Sequence, residues 1–583
     1  MTAATGTPAS GQALAAPRPR GRIAQKIGAE GVLRRVLLAL IGIYLFLFFV
    51  YPLYRALVRS LQDRAGNFVG LANYVTYFTT RGSSISLRNS LDISIVTTVI
   101  TVLLAFIFAY ALTRMTIRGR GLFWGVALLP MFIPSLVQAL AFIYMFGNNG
   151  VFTRLMGINI GLYGRTGIIL SEVFYAFPHA LIILSAALSL ADARLYEAAE
   201  ALRTSGWRVF WTITMPSVKY GLLSAAFVVF TLAITDFGAP KVVGGDFSVL
   251  ATDIYDRVVG QQNFEMGATI STLLLIPALL VFVLDRLVQR RQSGDVGAGI
   301  VPLARKRHPW LIQTLGYSFC LLMVGFILSV YVTVAVGAFT RFWPYDFTFT
   351  TRHFTFYGVG FHRGMGGLNV LWTSVQMAGW TALFGTIAVL VSAYLIEKGR
   401  GLKKTRALLY LLSVTPLAVP GMVKGLSFVF AFNDPRTPLN ALYGTMAILV
   451  ISTIMHYYTV PFLTATTALK QMDREFEAIG ESLDAPFYRT FWRVTVPLTL
   501  PAILSIAMYF FLNGLVTLSA LVFIFVPGKE LAALAVMLLD DAGESAQAMA
   551  MSLLIVLAGF VARGLFHLAT RGVERSSRAW TVR

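Results

Sequence analysis

Pro130-Met-Phe-Ile-Pro134-Ser-Leu-Val-Gln138-Ala-Leu-Ala-Phe142 and Pro416-Leu-Ala-Val-Pro420-Gly-Met-Val-Lys424-Gly-Leu-Ser-Phe428 carry one pattern twice, 286 residues apart. Each copy holds two prolines one helical turn apart, then a polar residue, then Phe. Other pairs follow in the same order. Asn89-Ser90 and Ala109-Tyr110 match Thr373-Ser374 and Ala393-Tyr394 at an offset of 284. Leu162-Tyr163-Gly164 matches Leu442-Tyr443-Gly444 at 280, and Thr-Ile-Thr-Met-Pro216 matches Arg-Val-Thr-Val-Pro497 at 281. Chance likeness among apolar helices does not keep its order along a chain, so the two halves are repeats of one unit.

The surroundings of these motifs set the class. Of 583 residues, 57% are hydrophobic and 13% charged, against about 25% charged in soluble proteins, and the mean hydropathy is +0.71. Twelve apolar runs approach spanning length, six in each half. They are Val36–Leu57, Leu91–Leu112, Leu122–Phe146, Gly167–Leu190, Tyr220–Thr235, Met266–Leu284, Leu311–Phe339, Val375–Ile396, Ala407–Phe432, Met446–Leu469, Ala502–Val526 and Ala546–Ala562. The fifth is marginal, since a helix needs about 20 residues to cross. Periodicity and the absence of strand-type alternation favour helices over barrel strands. The fold class expected is an all-α membrane protein of twelve transmembrane helices, built as two parallel six-helix repeats with a pathway between them.

The domain boundaries follow: a disordered tail over 1–30, a first unit over 31–292, a linker over 293–308, a second unit over 309–570 and a tail over 571–583. The first apolar run is long and lacks a cleavage pattern, so it reads as a retained span. The single cysteine, Cys320, lies in an apolar run and excludes an intrachain disulfide or a Cys-based metal site.

A formal net charge of +21 could indicate nucleic acid, but its placement argues for a bilayer. With the N-terminus inside, 33 of the 48 Lys and Arg fall on inner segments, 14 on outer ones, and only Lys424 within a span. That bias puts both termini in the cytoplasm and leaves no need for a nucleic-acid partner.

The loop after the fourth span reads Tyr196-Glu-Ala-Ala-Glu-Ala-Leu-Arg-Thr-Ser-Gly-Trp-Arg-Val-Phe-Trp-Thr-Ile-Thr-Met-Pro216. Its counterpart reads Glu477-Ala-Ile-Gly-Glu-Ser-Leu-Asp-Ala-Pro-Phe-Tyr-Arg-Thr-Phe-Trp-Arg-Val-Thr-Val-Pro497. Both resemble the EAA motif of binding-protein-dependent ABC importer permeases. The resemblance assigns ATPase coupling to Glu197, Ala198, Ala199, Glu200, Arg203 and Pro216, and to Glu477, Ala478, Glu481, Asp484 and Pro497. Two departures stand out. Arg203 and Asp484 occupy the place of a usual glycine, and Ala478 stands where the leading Glu falls. The resemblance further implies a type I permease fold in the bacterial inner membrane. Its partners would be two copies of a cytoplasmic ABC ATPase and a periplasmic solute-binding protein. No cofactor is expected on this chain, because it has no G-x-x-x-x-G-K-[ST] phosphate loop. No enzyme activity is expected either.

Polar groups within spans suggest function by default. Lys424, with Gln138 as its first-half equivalent, either pairs with a carboxylate such as Glu172 or Asp236 or faces the pathway and favours an anion. Glu172, Asp236 and Asn513 are further pathway candidates. Glu172 and His179 share a face of the fourth span, and His456 lies in the corresponding tenth, but sequence brings no metal-ligand set together. Fused permeases with Asp236-Phe-Gly-Ala-Pro240 and Glu481-Ser-Leu resemble those for 2-aminoethylphosphonate or ferric iron. Lys424 tilts the expectation to the phosphonate, with ferric iron as the alternative and a polyamine third. A secondary transporter is the alternative from another class, and the paired loops argue against it.

Overall fold

The computed structural model describes residues 29–581 apart from 81, 83, 296–300, 302–308, 357–366, 400, 474, 483–484 and 526–527. Residues 1–28 of the expected tail, and most of the expected linker, lie outside the described residues. Eight helices are long and apolar enough to cross a membrane, and four more crossings are bent helix pairs, giving twelve. The chain is an all-α membrane protein; the one sheet among the described residues is a hairpin of β1 (Thr340–Phe342) and β2 (Asp346–Phe349) after the seventh span.

The bends have a common cause. A proline gives no N–H to the carbonyl four residues back. Where two prolines stand four apart, or a proline follows a helix end, the ladder opens. The third span divides into Arg120–Phe132 and Ser135–Met156 at 106°, with Pro130 and Pro134 at the break. The ninth divides into Lys403–Ala418 and Gly421–Phe432 at 114°, around Pro416 and Pro420. The paired prolines therefore do more than kink these helices: they split them. The tenth breaks by 59° between Tyr457 and Thr459, where Pro461 leaves the Tyr457 carbonyl without its helical donor. The eleventh bends by 78° between Phe487–Leu498 and Leu500–Val516, where Pro497 and Pro501 stand four apart. It ends at Val516, ten residues before the expected boundary.

The fifth crossing is not marginal. Its helix runs from Gly206 to Thr235, because the aromatic-basic end of the loop joins the span through a π-turn at Phe210–Thr214. The same π-turn recurs at Phe491–Thr495. The sixth helix runs on to Asp295 and the twelfth to Thr581, past the expected unit boundaries.

Each half lends its first span to the other. The first crossing packs against the eighth and ninth, with Phe48 stacked on Phe432 at 5.8 Å. The seventh packs against the third, where Phe326 stacks on Phe142 at 5.9 Å. Trp343 just beyond it donates its indole N–H to the Tyr144 carbonyl at 3.1 Å. Side chains on the outer faces of the first, second and seventh spans, such as Leu40, Ile43, Ile95, Val99, Leu321 and Leu322, are exposed and apolar, as a lipid-facing surface requires.

Candidate functional site

The first loop is a short helix, Ala193–Ala201, started by Asp192, whose carboxylate accepts the Arg194 N–H at 3.1 Å. The second helix, Glu475–Ser482, starts the same way: Asp473 accepts the Glu475 N–H at 3.1 Å. These aspartates are 281 residues apart, so each loop copy begins with the same N-cap. The spacing of the two aspartates carries that signal in the sequence. Glu197, Ala198, Glu200, Arg203 and Pro216 are exposed, while Ala199 is buried against the body. Leu202 and Trp207 are exposed beside them, so the loop presents a knob of mixed charged and apolar character. Glu477, Ala478 and Glu481 lie on the second loop helix, Pro497 is exposed, and Asp484 lies outside the described residues.

Arg203 explains the usual glycine. Its φ is +50°, in the left-handed region, and the Thr204 N–H closes back to the Ala199 carbonyl at 2.9 Å. This is a helix C-terminus that favours glycine, and Arg203 adopts it at a local conformational cost of about 1 kcal/mol.

Both loops are tied to the spans. Buried Arg114, at the end of the second span, donates to the Leu188 carbonyl at 2.8 Å and lies over the Tyr196 ring at 5.1 Å. The Tyr196 hydroxyl meets Thr214 at 3.0 Å. One loop residue thus touches the ends of the second and fifth spans at once. In the second half, Tyr394 packs on Phe491 at 4.8 Å and reaches the Phe487 carbonyl at 3.4 Å. The first span's Glu30 accepts the Phe487 N–H at 3.3 Å, and Arg34 lies over the Phe487 ring at 4.8 Å. With each bent pair counted as one crossing, six crossings separate the loops, so both lie at one face of the bundle. At the opposite end of the fifth span, Lys241 bridges to Asp541 of the other half at 3.3 Å.

The two broken spans place their polar residues alike. Gln138 folds back to donate its amide to the Pro130 carbonyl at 2.9 Å and the Ile133 carbonyl at 3.1 Å. Lys424 donates to the Pro416 carbonyl at 2.6 Å, to His456 Nδ1 at 3.2 Å and to the His456 carbonyl at 3.3 Å. Each polar residue serves the carbonyl that its proline pair left open. The three donors of an ammonium are all engaged by those contacts. Among the described residues Lys424 makes no ion pair with Glu172 or Asp236, one of the two alternatives that the sequence left open, and is held by Pro416 and His456 instead.

The carboxylates form a separate group between the halves. Glu172, on the fourth span, is fully buried, and its carboxyl pairs by a side-chain hydrogen bond with another carboxyl. It faces the carboxyl of Asp236. Asp236 ends the fifth span and accepts Ser135 Oγ at 2.7 Å and the Ala239 N–H at 2.9 Å. Tyr175, one turn after Glu172, lies within electrostatic reach of both acids and of Tyr457 and Tyr509 from the second half. Tyr457 and Tyr509 meet edge to face at 6.1 Å. Asn513 is engaged locally: its amide donates to the Tyr509 carbonyl at 2.8 Å. His179 sits on the Tyr175 ring at 5.8 Å, while His456 belongs to Lys424. No group of three or more His, Cys, Asp and Glu converges among the described residues. The three tyrosines were missed in the sequence, since nothing local marks a phenol that meets its partners only across an interface.

The family profile described as a binding-protein-dependent transport system inner membrane component matches residues 101–294 and again 399–575. The ferric transport system permease protein FbpB of Actinobacillus pleuropneumoniae is 30% identical over 545 residues, 89% of this chain and 76% of that protein. The putative ferric transport system permease protein FbpB 1 of Haemophilus influenzae is 28% identical over 497 residues, 82% of this chain and 76% of its own. The molybdenum transport system permease protein ModB of Haemophilus influenzae aligns over 36% of this chain and 96% of its own length, at 27% identity. A single-unit relative therefore fits inside one half, while the fused relatives run through both. A twice-matched profile, two capped loops and twelve crossings lead to one assignment: the chain belongs to the family of binding-protein-dependent transport system inner membrane components, and it is a fused ABC importer permease rather than an enzyme.

Proposed function

We propose that this permease carries ferric iron across the inner membrane, received from an external binding protein and driven by two copies of a cytoplasmic ATPase. The observation that carries the substrate reading is the charge between the halves. The phosphonate expectation rested on Lys424, and all three of its donors are held by Pro416 and His456. What remains is acidic: buried Glu172, whose carboxyl is hydrogen-bonded to that of Asp236. A buried carboxyl pair calls for a proton or a cation between its members, which disfavours an anionic solute. Two fused relatives named for ferric transport support the same reading.

In this reading both termini are cytoplasmic, and the exposed loop helices around Glu200 and Glu481 seat in the ATPases. ATP, held by those subunits, would close them. The closure would pass through Tyr196 and Phe487 into the span ends and separate the halves where Lys241 meets Asp541. Uptake of labelled ferric iron and of labelled 2-aminoethylphosphonate by the assembled transporter in vesicles tests the substrate. Iron uptake without phosphonate uptake is expected; the reverse would overturn the reading.

A further inference from the structure

The fourth span carries an apolar stripe that its neighbours only half cover. Thr166, Ile169, Leu170, Val173, Phe174 and Phe177 recur at helical spacing, so they share one face, and they line a cavity of about 300 Å³. The second span supplies Ile100 and Leu104 to its wall, and the seventh span, from the other half, supplies Met323, Phe326 and Ile327. Thr166, at one end, is the only polar residue in that wall. The gap has a mechanical origin. The seventh span is fastened to the first half at both ends: Gln313 donates its amide to the Thr116 carbonyl at 2.9 Å, and Trp343 its indole N–H to the Tyr144 carbonyl at 3.1 Å. Between those points it rests on an aromatic cluster, with Phe326 against Phe142 at 5.9 Å and against Phe174 at 6.0 Å. The cavity lies beside that cluster.

Access, length and charge identify the occupant. Ile100 and Thr166 are exposed while Phe177 and Ile327 are buried. The cavity therefore opens sideways, beside the lipid-facing Ile95 and Val99, and deepens into the bundle. An apolar cavity of about 150 Å³ stays dry and takes benzene, so this one has room for on the order of a dozen carbons. Along the fourth span the lining runs from Thr166 to Phe177. That stretch is about 16 Å of helix, roughly half of a hydrocarbon core of about 30 Å, which is the depth of one leaflet. It begins at the end of the span remote from the coupling loop. Charge stands at the same end. Arg165, next to Thr166, holds the Asp92 carboxylate through Nε at 2.5 Å and Nη2 at 3.1 Å. Asp92 lies two turns before Ile100 on the second span, and exposed Arg88 one turn before Asp92. Two guanidinium groups against one carboxylate leave net positive charge at the mouth, which suits a phosphate ester.

We propose that this cavity binds one acyl chain of a phospholipid, in the leaflet opposite the coupling loops, with the lipid phosphate beside Arg165 and Arg88. The site is independent of which solute the permease carries. An acyl chain restores the dispersion contacts that an empty gap forfeits. It fills the lipid side of the cluster of Phe142, Phe174 and Phe326, and so becomes part of the contact that seats the second half's first span on the first half.

The test uses the permease assembled with its ATPase in nanodiscs of phosphatidylethanolamine and phosphatidylglycerol. The probe is a phosphatidylglycerol with a photoreactive diazirine on one acyl chain. After illumination, adducts mapped by peptide mass spectrometry are expected severalfold more often at Leu104, Leu170, Val173 and Met323 than at Leu40 and Ile43, which are exposed on the first span away from the cavity. Ile100→Phe, on the exposed rim, narrows the entrance and should bring that excess down to the first-span level with the elution of the assembled complex unchanged. Val173→Phe fills the cavity from within and should do the same. Equal labelling of the two faces in the wild type would show ordinary boundary lipid and overturn the site. An excess that survives both substitutions in assembled complexes would overturn it too. Labelling of the cavity by a diazirine fatty acid and not by the phospholipid would overturn the assignment to a phospholipid.

Discussion

The two halves solve the same backbone problem with different side chains. Pro130 and Pro134 in one, Pro416 and Pro420 in the other, open a helix and take from the first proline's carbonyl its helical donor, and the residue four past the second proline bends back to donate to it. Gln138 does this with an amide, Lys424 with an ammonium that also takes the His456 carbonyl from the adjoining broken span. The charge of Lys424 thus says little about the solute. The acids speak to it more directly, and they lie in the first half alone, where Glu172 and Asp236 face hydroxyls of the second. An intramembrane charge is informative according to whether its hydrogen-bonding capacity is used up by the fold, not according to its sign.

The widest break in that comparison is expected at Glu172, whose replacement by Gln should lower iron uptake in vesicles well below that of Lys424→Gln, which should stay near wild type. The loops come next. Charge reversal of Glu200 and Glu481 together should uncouple ATPase activity from uptake, measured side by side in vesicles. Reversal in one loop only should have a smaller effect, and unequal effects would show that the halves do not contribute alike. The proline breaks can be compared through stability. Lys424→Met and Gln138→Leu each strip donors from freed carbonyls, and each should destabilise by about 1–3 kcal/mol per orphaned carbonyl, read as a lower thermal midpoint. Lys424→Gln, which borrows the first half's solution, should recover most of that; a variant as unstable as Lys424→Met would show that the charge itself is needed. The smallest effect is local. Arg203→Gly should stabilise the first loop by about 1 kcal/mol, seen as slower amide exchange at Leu202–Thr204, since glycine accepts the left-handed backbone that Arg203 holds at φ +50°.

Much of this could be read along the chain. The number of crossings, the duplication and the position of both loops came from apolar length and ordered repeats, which are local properties. The Pro-x-x-x-Pro pairs announced irregular helices. The extent of the breaks did not follow, because 106° and 114° bends need partners that cap the opened ends. The fifth span looked too short because its first three turns are aromatic and basic rather than uniformly apolar, yet the π-turn at Phe210–Thr214 carries the helix through. Asp192 and Asp473 were legible as caps from their spacing alone.

Apolar length and ordered repeats are enough to specify a repeated bundle of lipid-exposed helices with one loop motif in each half. Hydrophobic length, proline chemistry and the order of repeats act within a few residues of one another. Which polar groups remain available depends on how the spans pack in three dimensions. Lys424 is closed off by a carbonyl eight residues back and a histidine 32 residues on, and Glu172 meets Asp236 and the tyrosines only when separate spans converge. Availability for a ligand is what is left after hydrogen bonds are assigned, and that assignment depends on distances through space that no spacing along the chain encodes.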